Sequence, residues 1–141
     1  MKLLLSEVFE KASKLKTKKE RIAFLRQNES PALRDIIRIN YDDSIVCLLP
    51  KGAPPYKADD APIGKEMVRL HKKYRSFKFF FNGPTGRGVN PIKRESMFIK
   101  LLESLHASEA KLLVLAKDKK MKYTGVTKKL CQDTFPGLIT K

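Results

Sequence analysis

Between residues 65 and 81, apolar side chains recur with a period that suits a helix and little else. Met67, Leu70, Tyr74, Phe77 and Phe81 are separated by 3, 4, 3 and 4 residues. At about 100° per residue the five share a stripe roughly 80° wide. The spacing predicts a helix over 65–81, with Gly83 placed to stop it. Helix signals flank it on both sides. Thr17-Lys18-Lys19-Glu20 has the form of a capping box. Ser30-Pro31 pairs an N-cap with a Pro at the first helical position, where its missing N–H costs nothing. Ser6 is placed to cap a first helix carrying Val8, Phe9 and Ala12, and Leu33, Ile36 and Ile37 mark the third. Asn90-Pro91 can start a later helix with Met97, Phe98, Leu101, Leu102 and Leu105 on its core face. Ser108 and Thr127 are placed to cap two more.

Three stretches interrupt this pattern. Ile45–Leu49 is a short apolar run that fits one helical turn or a buried strand, and Asp43 as a cap favours the helix. Pro50, Pro54, Pro55 and Pro62 make residues 50–63 an irregular connection. Residues 82–91, rich in Gly and Pro, read as a flexible loop. The expected fold is all-α: an N-terminal helical subunit over 1–49, the Pro-rich connection, and a basic helical subunit over 64–141, sharing one core.

Charge narrows the function. The 141 residues carry 30 Lys+Arg against 15 Asp+Glu, a net charge of +15. The excess is no tail: residues 31–60 are slightly acidic, and the purest basic stretch is 61–90. On the expected 65–81 helix, Lys65, Arg69, Lys72, Lys73 and Arg75 lie opposite the apolar stripe, with Glu66 the only nearby acid. Like charges without i,i+4 acidic partners repel, so a face of this kind suits an anionic partner. Phe79 and Phe80 project near it if the helix continues to Phe81, and aromatic rings beside cations suit single-strand binding. A plain solvated Lys/Arg face has the same composition. Arg87 in the Gly loop could reach a phosphate or carboxylate, although the loop has neither the P-loop ending nor the dinucleotide spacing. Lys119, Lys120 and Lys122 form a further charged turn.

Little supports catalysis. Cys47 and Cys131 lack the spacing of a zinc site or a disulfide framework. His71 reads as a boundary residue and His106 as a cap or packing group. No cofactor or metal is expected. No apolar run approaches the roughly 18 residues of a membrane span, and Met1–Leu5 is too short for a signal-peptide core. The joint between Ala116 and Thr127 is too long for a helix-turn-helix turn.

Five segments together carry a family likeness: KTKKERIAFLR, SPALRDIIRINYDDSI, LLPKGAPPYKADDAP, KRESMFIKLLESLHASEAKLL and KDKKMKYTGVTKKLCQDTFPGL. In this order, over nearly the whole chain, they resemble a small conserved protein of T-even-type contractile-tailed phages, cyanophages included. That family has no settled biochemical function, so no residue role carries over. The resemblance implies a phage-encoded protein in the cytoplasm of an infected bacterial host. With the charge pattern, the expectation is a non-enzymatic binding protein that meets nucleic acid, DNA or RNA, through a basic face without sequence readout. The alternatives are a factor that binds an acidic surface of host or viral machinery, and a small enzyme. No membrane association is expected.

Overall fold

Four of the helix-start signals act as their local sequence dictates. In the computed structural model, which describes residues 3–57 and 69–140, Thr17, Ser30, Asn90 and Thr127 each accept a backbone N–H from the first turn of the helix they precede. The fold is all-α. Helices α1 (Leu5–Lys14), α2 (Lys18–Gln27) and α3 (Pro31–Tyr41) come first. Then follow α4 (Leu70–Lys73), a 3₁₀ helix (Tyr74–Phe79), α5 (Pro84–Arg87), α6 (Pro91–Ser104), α7 (Ala107–Lys117) and α8 (Lys128–Thr134). α3 packs on α7 and α4, α1 on α2 and α7, and α2 on α8. One apolar core takes residues from every one of these helices except α5, from Leu5 to Ile139.

Where capping is non-local, the expectation fails. α1 starts before Ser6, because the Leu5 N–H is satisfied from across the fold by Glu109 Oε2 at 3.0 Å. Ser6 is buried and shares a hydrogen bond with Ser108 Oγ at 2.8 Å. α7 is capped by His106, whose Nδ1 accepts from the Ser108 N–H, so Ser108 is not the cap.

The run 45–49 is extended, not helical. Cys47 pairs antiparallel with Phe81. Leu48 N–H donates to the Phe80 carbonyl, and Asn82 N–H to that of Val46, both at 2.9 Å. The preceding turn is built on Asp42, which is fully buried. Its Oδ1 accepts from the Ser44 N–H and hydroxyl, and its Oδ2 from those of Thr140. The described part of the Pro-rich connection lies over α6 and α7. Lys57 N–H donates to Glu103, Gly52 N–H to Asp118, and the buried Lys117 ammonium to the Pro50 carbonyl. Residues 58–63 of that connection lie outside the described residues.

The 65–81 helix is not continuous. Arg69 is extended (φ −125°, ψ 152°), α4 begins at Leu70, and the chain tightens into the 3₁₀ helix at Tyr74. Lys65 and Met67 lie outside the described residues. The break has a cause: the Leu70 N–H is held by Glu109 Oε1 at 3.1 Å. The tightening has a consequence. At three residues per turn, Phe77 and Phe80 fall in one row, and both are buried, so Phe80 faces the core and not the cations as a continuous helix would place it. Phe80 meets the Phe98 ring edge-on at 5.2 Å between centroids.

Glu109 thus supplies one oxygen to each of two helix starts. Burial pushes its carboxyl above the usual range, against the pull of the Leu70 and Leu5 amides. Glu109→Ala strands both N–H groups at roughly 1–3 kcal/mol each, so it should cost about 2–6 kcal/mol, read as a fall in the urea midpoint. Asp42 shifts the other way. Burial alone would raise its carboxyl, but the bonds from Ser44 and Thr140 outweigh it and hold it well below the usual carboxylate range. A lowered value stabilises the fold above the unfolded value near pH 4, and that contribution is lost as pH falls through the folded value. The stability gap between wild type and Asp42→Asn should therefore be flat near neutrality and close below about pH 4 in urea melts across pH.

Candidate functional site

The tightened backbone that buries Phe77 and Phe80 also arranges the cations. Arg75 and Lys78 stand one 3₁₀ turn apart on the same row, and both are exposed. Lys72 and Lys73, one turn earlier, are exposed as well. No acidic residue occurs between Arg69 and Arg94. Among the described residues, Lys72, Lys73 and Lys78 form no ion pair. Among the described residues Arg75 meets Tyr74 alone, with its Nε donating to the hydroxyl at 3.4 Å. Phe79 is half-buried, with the Lys78 ammonium 5.5 Å from its ring centre. It is therefore a flank of the cation row and no free stacking platform.

The Gly-rich segment is built, not loose. α5 occupies residues 84–87, and Gly86 is buried. A Cβ at Gly86 would lie 2.0 Å from the Phe81 carbonyl oxygen, so only Gly fits this approach. Arg94, buried on α6, holds the segment from beneath. Its Nε donates to the Phe79 carbonyl at 3.2 Å, and its Nη2 to those of Gly86 (2.6 Å) and Val89 (2.9 Å). Arg87 is exposed on α5, which packs against the 3₁₀ helix.

The charged turn 117–122 divides. Lys119 sits in the left-handed region (φ 59°) and turns inward. Its ammonium donates to the Ile39 and Asp42 carbonyls at 2.8 and 2.7 Å, closing the C-terminal end of α3. Its charge serves the fold, contrary to the expected surface role. Lys120 and Lys122 face solvent. No hydrogen bond or ion pair among the described residues joins them to the 72–78 row.

Beside the cation row lies a groove of about 500 Å³ between α3 and the 3₁₀ helix. Ile39, Ile45, Phe77 and Phe81 give it apolar walls, and Asp35, Arg38, Arg75 and Lys78 give it charge. Asp35 and Arg38 were not legible as site residues. At i and i+3 on α3 they read as an ordinary polar helix face, and only the extended 45–49 run and the 3₁₀ helix wall them in.

The groups that catalysis would use are placed elsewhere. The His71 ring lies against the Leu3 carbonyl, with Nε2 at 2.9 Å. Cys131 is in the core, where burial pushes its thiol up to about 12, and burial raises Cys47 as well. Among the described residues, no group of three His, Cys, Asp or Glu could hold a metal ion. No described helix is long and apolar enough to cross a membrane.

Arg94→Ala removes three hydrogen bonds from residues 79–89. It should lower stability by about 3 kcal/mol and speed amide exchange selectively in residues 82–89, measured by hydrogen–deuterium exchange.

The chain belongs to a family of unknown function (DUF6433), whose model matches residues 8–123. No curated protein and no solved structure matches it.

Proposed function

We propose that this protein binds nucleic acid without sequence readout, through the cations of α4 and the 3₁₀ helix. The observation that carries the reading is the row itself. Lys72, Lys73, Arg75 and Lys78 are exposed within two turns, in a stretch of 26 residues (69–94) without one acid. Surface lysines on a helix usually alternate with acids, which relieves their repulsion. Here the repulsion is left in place, and a polyanion would relieve it by displacing counterions. Arg87 on α5 and the exposed Lys120 and Lys122 widen the positive surface. Such contacts position a phosphate backbone and carry no sequence information. Arg69 opens the same stretch, and Lys65 precedes it in the sequence beyond Glu66. The resemblance to T-even-type phage proteins would place this binding in the cytoplasm of an infected bacterium. The competing reading, an acidic protein surface, would use the same charges to set on-rate and partner choice.

The test is fluorescence anisotropy with short labelled single-stranded DNA, its RNA counterpart and a duplex, across a salt series. With about four phosphates neutralised on a single strand, log K should fall against log salt with a slope of about −3. Reversing Lys72, Lys73 and Lys78 together to Glu should abolish measurable binding at near-physiological salt. Retained affinity in that variant, or preferential binding of polyglutamate over the oligonucleotides, overturns the reading.

A further inference from the structure

The groove beside the cation row is lined by an arginine whose guanidinium is not satisfied within the fold. Three buried side-chain nitrogens have no hydrogen-bond partner among the described residues: Arg21 Nε, Arg38 Nε and His71 Nδ1. Of these residues, only Arg38 lines the groove. The Nε itself is closed to solvent, so an acceptor in the groove would meet the Nη groups of the same guanidinium, which form no hydrogen bond among the described residues. Asp35 lies one helical turn away on the same face of α3 and forms no ion pair among the described residues. The helix therefore presents an acceptor and a donor side by side. Ile39, Ile45, Phe77 and Phe81 supply apolar surface around them.

We propose that this groove takes one unstacked nucleobase of a single-stranded nucleic acid whose backbone runs along Arg75 and Lys78. The proposal rests on the nucleic-acid reading above and deepens it. Three features favour a base over other anionic partners. A base is flat and apolar on its faces, which suits the walls. Its edge sets donors next to acceptors, complementary to Asp35 and Arg38, and every base offers some such pair. The flanking phosphates lie outside the ring, where Arg75 and Lys78 stand. An acidic peptide fits worse, because its carboxylates bring only acceptors and would face Asp35. Burial raises the Asp35 carboxyl, with Arg38 and Arg34 opposing, as expected for an acid walled into an apolar recess. The volume, about 500 Å³, is in the range of small-molecule sites and admits one such unit, not a stacked duplex. Bases in a duplex would first have to be extruded, so single strands should bind better.

The experiment compares two probes of equal length and charge: a short single-stranded DNA and an abasic phosphodiester chain. Wild type should prefer the base-bearing strand by about tenfold or more. Arg38→Met removes the guanidinium donors. Thr85→Trp, at an exposed position on the groove wall, narrows the space and removes no charge. Each should bring the preference to near unity and leave the salt slope unchanged. Equal affinity of wild type for both probes, with the slope retained, overturns the groove assignment alone. So does a preference that survives both variants. Failure of wild type to bind either probe overturns the nucleic-acid reading itself, and the groove assignment with it.

Discussion

Much of this structure depends on one buried carboxylate. Glu109 has no solvent-exposed surface, and its two oxygens accept the first N–H of α1 and the first N–H of α4. The start of a helix carries unsatisfied donors and a partial positive charge, so a carboxylate shared between two such starts is stabilised from both sides. Desolvation opposes this, which is why the carboxyl is raised and not lowered. The geometric result matters more than the net energy. The shared carboxylate fixes where α4 begins relative to α1 and α7. The chain after Leu70 must then fit between that point and the Cys47–Phe81 pairing. The 3₁₀ winding spans this interval. It turns Phe77 and Phe80 inward and leaves Arg75 and Lys78 in line outside.

The legible and illegible parts of the fold separate by range. Thr17, Ser30, Asn90 and Thr127 act on N–H groups two or three residues away, and their roles follow from local sequence alone. The stretches that differ from expectation are those held by distant residues. The 45–49 run is extended because Asn82, through its backbone and its side chain, ties Ser44 and Val46 to the segment after Phe81. The Gly-rich segment is ordered because Arg94 reaches two of its carbonyls from α6 and ties them to that of Phe79. The regular stripe over 65–81 suits an α-helix, and its residues Leu70, Phe77 and Phe81 are indeed buried, but the backbone that buries them is not one helix. Periodicity reported which side chains go inside and missed the winding.

The candidate site shows the same division. Lys72, Lys73 and Arg75 were legible as a run of unpaired charge. Lys119 looked equivalent, yet it is committed to the carbonyls at the end of α3, a role that depends on a left-handed residue and a tertiary contact. Phe79 was legible as an aromatic beside cations, but Lys78 already covers its ring. Asp35 and Arg38 acquire meaning only when another segment faces them across the groove. A positive row beside a recess holding one donor and one acceptor is a more specific object than a net charge of +15. For a member of a family of unknown function, it turns a compositional bias into an address on the surface.

Chemical-shift mapping tests that address most directly. Isotopically labelled protein would be titrated with a short single-stranded DNA at low salt, with backbone amides and arginine Nε–H signals followed together. The account predicts the largest shifts at residues 72–79, with the Arg38 Nε–H moving in the same titration. Largest shifts among the cations of α2 and α8, with the 72–79 amides and Arg38 unmoved, would contradict it.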